Sequence, residues 1–322
     1  MRKIYSLFLN FFILTLVTSC AYADDLATIS LEPENPTPKS VVTITLQSYY
    51  FDVNLAMISW NVNGVLVLKG AGEKKLSIKT GNVGESKIVK VLAESADGTS
   101  VEQTINVTPS SVVLLYEAPE SYVPLFYEGR SLPSDGAMVR FSALPQMSDG
   151  GAILSPSSLA YTWYLNDNII ESISGIGKQS AAIRLDYLTS KNEIRVLVRT
   201  PLGNKTEKTI TVLPHPVMPL LYRYDAILGT NANALVEKRF EATNDFTIAL
   251  EPFYVSQKRD APATFSWLLD GLPSTPYGGK VLSLRPKEDS YGTSILVIKV
   301  AAQNELLQDA ETTVEFIYDT RR

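Results

Sequence analysis

The chain has 322 residues, with 29 Lys and Arg against 34 Asp and Glu, one histidine and one cysteine. An acidic balance argues against a nucleic-acid binder, which needs a concentrated basic surface. The only histidine, His215, stands between Pro214 and Pro216, which argues against a Ser-His-Asp or Cys-His hydrolase and a His-ligated zinc site.

The N-terminus reads as an export signal. Arg2 and Lys3 give a positive start, residues 7–17 form an apolar run broken only by Asn10 and Thr15, and Ala21-Tyr22-Ala23 is a small-x-small cleavage site before Asp24. Residues 1–23 are therefore expected to be a signal peptide. Val17-Thr18-Ser19-Cys20 also resembles a bacterial lipobox, and in that alternative Cys20 carries a lipid anchor. Cleavage after Ala23 removes Cys20 and leaves a mature chain without cysteine. It also leaves 29 − 2 = 27 basic residues against 34 acids, a net charge of −7. Disulfides, thiol catalysis and Cys-ligated metals are then all ruled out, and stability rests on core burial. No later stretch reaches 18 apolar residues, so no transmembrane segment is expected in the mature chain.

The first domain, 25–108, begins with a strand over 27–31, broken by Pro33, Pro36 and Pro38. Val42, Ile44 and Leu46 alternate with polar residues, the period of a half-buried strand. Trp60 then leads into Asn63-Gly64, with apolar residues on both sides. Asn-Gly suits a two-residue type I′ turn, because both central residues need positive φ. Strands follow at 76–79, 88–93 and 104–107, with turns at Gly81 to Gly84 and at Asp97-Gly98. The second domain, 110–213, repeats this order: 112–116, then Val139, Phe141 and Ala143, then Trp163 with Asn166-Asp167. Strands at 182–185, 194–198 and 208–213 complete it, with a turn at 202–204. The third, 217–319, runs 219–222, 246–250, Trp267 with Asp270-Gly271, 281–284, 295–300, a turn at Gln303-Asn304, and 314–318.

The tryptophans lie 163 − 60 = 103 and 267 − 163 = 104 residues apart, and each is followed three positions later by Asn or Asp. A period of about 100 residues is one β-sandwich rather than one solenoid turn. The reading is all-β: three tandem immunoglobulin-like sandwiches, each with a core Trp. Linkers 108–110 and 213–216 carry proline, which restricts the orientation of neighbouring domains.

The Trp-x-x-Asn/Asp-Gly/Asp hairpin, the Ile-Val-Lys-Val-Leu-Ala-Glu strand, Ala-Asp-Gly-Thr and the closing Ile-Asn-Val strand resemble bacterial extracellular immunoglobulin-like domains of the PKD type. Residues 25–108 carry the pattern best. The resemblance implies a sandwich used for display, adhesion, spacing or carbohydrate association, with no catalytic residues and no cofactor.

Two features could carry chemistry. Glu128, Asp149, Glu171, Glu288 and Asp289 are the carboxylates a glycoside hydrolase would need, but they lie in polar, turn-like contexts. No Asp-x-Asp-x-Asp run offers calcium a loop. The front ends of the second and third domains also concentrate aromatics: Tyr116, Tyr122, Phe126 and Tyr127, then Tyr222 and Tyr224. Tyrosine is enriched at interfaces; these rings either contact a partner or cover the sandwich edge and the domain junctions. The expected protein is a secreted, periplasmic or surface-exposed non-enzymatic scaffold or adhesion module. Its partner is a protein or an envelope polymer, in a surface assembly such as a pilus or secretion apparatus. The alternatives are a carbohydrate- or envelope-polymer-binding accessory and, more remotely, a carboxylate-based hydrolase.

Overall fold

The computed structural model describes residues 27–49, 51–242, 245–303 and 305–321. The expected signal peptide, Cys20 and Asn304 lie outside them. Within them the chain is all-β, a tandem array of immunoglobulin-like sandwiches.

The first sandwich contains β1 (Thr28–Glu32), β2 (Val41–Gln47), β3 (Met57–Val62), β4 (Val65–Ala71), β5 (Lys75–Lys79), β6 (Lys87–Glu94) and β7 (Ser100–Val107). One sheet has the order β1-β2-β5 and the other β4-β3-β6-β7. Alternation builds the core. Val42, Ile44 and Leu46 of β2 are buried, as are Ile58 and Trp60 of β3 and Val89, Val91 and Ala93 of β6, since period two sends these positions to one face.

The second sandwich comprises β8 (Ser111–Glu117), β9 (Met138–Gln146), the short hairpin β10 (Ser148–Asp149) and β11 (Ala152–Ile153), β12 (Ala160–Leu165), β13 (Asn168–Ile169), β14 (Gly175–Ile176), β15 (Ser180–Arg184), β16 (Asn192–Arg199) and β17 (Lys205–Val212). Its sheets run β15-β9-β8 and β13-β12-β16-β17, with β14 also on β12. Phe141, Tyr161, Trp163 and Ile194 anchor a single core.

The third holds β18 (Met218–Asp225), β19 (Gly229–Leu235), β20 (Arg239–Glu241), β21 (Phe246–Phe253), β22 (Thr264–Leu269), β23 (Leu272–Ser274), β24 (Val281–Leu284), β25 (Tyr291–Ala301) and β26 (Asp309–Asp319). The orders are β19-β18-β21-β24 and β20-β26-β25-β22-β23. With the short β10, β11 and β14 of the second sandwich and the added β19 and β20 of the third set aside, all three sandwiches share one topology. In each, the first, second and fifth strands form one sheet and the other four form the second.

The described chain falls into two compact units. One is the first sandwich without its loops 35–41 and 79–87; the other contains those loops and residues 107–322, so the second and third sandwiches share one body. Two insertions between first and second strands distinguish them. Residues 118–137 separate β8 from β9, and the third sandwich spends its insertion on β19 and β20.

Candidate functional site

The recurring hairpin does more than turn the chain. Asn63 and Gly64 have φ of 50° and 83°, Asn166 and Asp167 48° and 63°, Asp270 and Gly271 50° and 80°, the all-positive pair of a type I′ turn. The side chain at the first turn position also reaches across to the neighbouring strand. Asn63 Oδ1 accepts the Ile88 amide at 2.9 Å, Asn166 Oδ1 the Glu193 amide at 2.9 Å, and Asp270 Oδ1 the Ile295 amide at 2.8 Å. Their own backbone amides donate to the carbonyls of those same three residues. Each hairpin is thus clamped by two bonds to the neighbouring long strand, β6, β16 or β25. The turn rule explains the residue type but not this clamp, which joins positions 25 or 27 residues apart.

The three tryptophans are 0%, 0% and 2% exposed. Their indole N–H groups donate to the carbonyls of Glu73 at 2.7 Å, Lys178 at 2.9 Å and Gly279 at 3.0 Å. Each acceptor lies just before the strand that closes the opposite sheet. A buried indole needs such a partner, and the same backbone turn supplies it in each copy.

Four of the six candidate aromatics, Tyr122, Phe126, Tyr127 and Tyr222, gather at the junction of the second and third sandwiches. Residues 118–135 lie across the third sandwich as a strap. Tyr122 and Tyr254 bridge it through backbone bonds: Tyr254 N to Tyr122 O at 2.7 Å and Tyr122 N to Val255 O at 2.9 Å. Phe126 packs edge-on against Tyr222 at 5.2 Å, and Tyr127 against Phe253 at 5.2 Å. The Tyr127 and Tyr254 hydroxyls meet at 3.2 Å. Tyr116 instead packs on Phe141 of its own sandwich, with the Arg130 guanidinium 3.9 Å from its ring centre. Tyr224 lies on the β18–β19 hairpin, beside an open polar groove of about 630 Å³ lined by Arg223, Asp225, Asp245, Thr247 and Arg285. Four of the six aromatics, Tyr116, Phe126, Tyr127 and Tyr222, therefore pack against other rings, Tyr122 packs under the Lys280 ammonium, and Tyr224 borders the polar groove.

Polar groups complete the junction. Glu251, buried, accepts the Tyr122 hydroxyl at 2.5 Å and the Thr230 hydroxyl at 2.9 Å. Lys280 Nζ stands 4.1 Å from the Tyr122 ring centre. Burial, reinforced by the bond to Glu251, pushes the Tyr122 phenol well up, so at neutral pH it is a permanent donor. Burial lowers Lys280, opposed by the charge of Glu251. Tyr254 is pushed up to about 12 by burial and by the Tyr127 hydroxyl. On the other side, the Glu305 side chain is only 4% exposed and pairs with Arg184 Nη1 of the second sandwich at 2.6 Å. Lys258 Nζ bonds the other Glu305 oxygen, with Glu120 at 3.9 Å from that ammonium. Gln308 donates to the Asp135 carbonyl at 2.8 Å and accepts the Ser256 amide at 3.0 Å. None of Glu251, Glu305 or Gln308 belongs to a local motif, and their partners lie up to 173 residues away, so no reading of local pattern could single them out.

The remaining candidates are dispersed. Glu128, Glu171, Glu288 and Asp289 are exposed. Asp149 accepts the Thr200 hydroxyl at 2.7 Å, the Asn204 amide group at 2.8 Å and the Leu202 backbone amide at 3.1 Å, which holds a turn. His215 donates its backbone amide to Pro133 O at 2.8 Å, and its ring lies 6.0 Å from that of Tyr254. Among the described residues no group of three or more His, Cys, Asp or Glu is placed to hold a metal ion, and no helix is long and apolar enough to cross a membrane.

No protein-family model matches the sequence, and no curated protein matches it. Solved structures similar to this chain include the fibronectin(III)-like modules of Clostridium thermocellum CbhA, with 12% identity, 58% of this chain and 94% of that one covered, and a TM-score of 0.28. The central fibronectin-III array of RIM-binding protein shows 13% identity over 89% and 95%, with a TM-score of 0.29. A structure of a 1.5-MDa bacterial ice-binding adhesin, described for host cell surface retention, shows 9% identity over 91% and 98%, with a TM-score of 0.23. At these identities and scores none of them bears on role.

Proposed function

We propose that the chain is an exported, non-enzymatic cell-envelope scaffold or adhesion protein built from three PKD-type immunoglobulin-like domains, 25–108, 110–213 and 217–319, working within a surface assembly. The observation behind this reading is where the polar and aromatic chemistry of the second unit goes. Tyr122, Glu251, Lys280, Tyr127, Tyr254, Arg184, Glu305 and Lys258 all fasten the second sandwich to the third. A fastened pair of sandwiches transmits force and holds spacing; a substrate cleft would instead leave such groups converging on open volume. Fractionation of cells expressing an epitope-tagged chain tests the reading. The chain is expected in the envelope or the external medium, and the purified protein is expected to leave insoluble cell-wall polysaccharides unbound and uncut. Retention in the cytosol would overturn export, and polysaccharide cleavage would overturn the non-enzymatic assignment.

The groove beside Tyr224 favours a second reading, an envelope-polymer-binding accessory. An aromatic ring flanked by Asp225 and by the Asp245–Arg285 pair, joined at 2.6 Å, offers a stacking face and hydrogen-bonding groups to a sugar. Saturable co-sedimentation with a polysaccharide, lost in Tyr224→Ala, would establish it.

A further inference from the structure

The second and third sandwiches close the same corner in different ways. The second strand of each carries a proline one residue before its end, Pro145 in β9 and Pro252 in β21. The chain then sends one apolar side chain into the core, Met147 or Val255, followed by a buried serine, Ser148 or Ser256. In the second sandwich this segment is paired by the chain that follows it. Ser148 and Asp149 form a hairpin with Ala152 and Ile153, and Leu154 N donates to Met147 O at 3.0 Å. The Leu154 side chain packs on the core.

In the third sandwich residues 257–263 form no strand, and the pairing comes from the strap. Tyr122 N donates to Val255 O at 2.9 Å, the counterpart of the Leu154 bond, and Ser121 forms an antiparallel bridge with Ser256. Tyr254 N and Gln257 N donate to the carbonyls of Tyr122 and Glu120 at 2.7 and 2.8 Å. Tyr122 also packs on the core of the third sandwich, as Leu154 does on that of the second. Residues 120–122 therefore take the place that β11 and Leu154 hold in the second sandwich.

We infer that the third sandwich is completed by a strand supplied from the second, and reaches its native packing only with residues 120–122 in place. The dependence is unequal. The core of the second sandwich draws on no strap residue, whereas that of the third includes Tyr122. Without the supplied strand, the Val255 carbonyl and the amides of Tyr254 and Gln257 lose their partners, which is costly wherever water cannot replace them. Tyr222, Phe253 and Tyr254 also lose the cover of Val123, Phe126, Tyr127 and Leu132. This is strand addition within one chain: backbone bonds hold the added segment and a side chain on the core fixes its register. The inference goes beyond the envelope role and does not depend on it.

Hydrogen exchange of the exported full chain, followed by mass spectrometry, reads the two sandwiches separately. Tyr122→Pro removes both the amide that pairs with Val255 and the ring on the core. Exchange in β25 and β26 is expected to accelerate by about tenfold or more, with β12 and β16 changed far less. Phe126→Ala removes a ring that fastens the junction but leaves residues 120–122 intact, and should loosen β25 and β26 much less than Tyr122→Pro. Wild-type protection of β25 and β26 in Tyr122→Pro overturns the proposal, since the strap would then be a fastener only. Equal acceleration in β12 and β16 also overturns it, by assigning the strap to the fold of the second sandwich. So does an effect of Phe126→Ala as large as that of Tyr122→Pro, which would assign the loss to weakened fastening.

Discussion

At the residue scale, the Trp and the Asn or Asp three positions later carry the repeat for different reasons. The indole fills the centre of each sandwich and satisfies its one donor on a backbone carbonyl. Truncating Trp60, Trp163 or Trp267 to Ala should cost about 3–5 kcal/mol, the range for emptying an aromatic site in a core, measured by denaturant unfolding. At the turn, two substitutions separate backbone from side chain. Asn63→Gly keeps the positive φ but deletes the bond to the Ile88 amide, at a cost of about 1 kcal/mol. Asn63→Ala deletes the bond and adds the strain of a left-handed alanine, roughly 1–2 kcal/mol more. Equal losses for the two variants would show that the clamp, and not the turn conformation, dominates.

At the element scale, the decisive piece is the strap 118–135. Its prolines and polar residues give it no period-two pattern, so it shows in the sequence only as extra length with tyrosines. Its hold on the third sandwich depends on phenols remaining protonated. Tyr254 titrates near 12 in the fold, against about 10 for an ordinary tyrosine. Its contribution is therefore whole below about pH 10 and is lost as the pH rises through 12. Near-ultraviolet circular dichroism should show junction packing lost across that window. Tyr254→Phe keeps the ring and has no proton to lose, so it should retain more of the signal at high pH. The edge strands belong to this scale too: β4, β13 and β23 start from equivalent hairpins, and β13 is cut short by the 3-10 turn at Glu171–Ile173, while β23 runs through Pro273 and ends at Ser274.

At the scale of the whole molecule, the second and third sandwiches behave as one body. The Arg184–Glu305–Lys258 cluster and Gln308 join residues that fold in different cores. Glu305→Gln should cost about 1.5–3 kcal/mol, the worth of hydrogen bonds to a charged group, reduced toward the lower end because Arg184 is half exposed. Calorimetry should also show Trp163→Ala and Trp267→Ala lowering the same transition, since loss of either core removes the surface the other packs on. Two separate transitions, each moved by one variant only, would contradict the coupling.

The sequence by itself determined the repeated unit: three tryptophans a constant distance apart, turn residues that tolerate positive φ, and alternating strands that can be buried on only one face. Those signals are local, set by backbone sterics and a two-residue period, so β2, β3, β6 and their counterparts were legible from pattern alone. The clamp from Asn63, Asn166 and Asp270, the choice between a partner contact and a domain junction for Tyr122, Phe126, Tyr127 and Tyr222, and the pairing of Arg184 with Glu305 were not. Each joins groups distant in the chain whose identities are common on any surface. Only the tertiary structure, by placing the strap of one sandwich across the next, decided which of those polar and aromatic side chains are buried together.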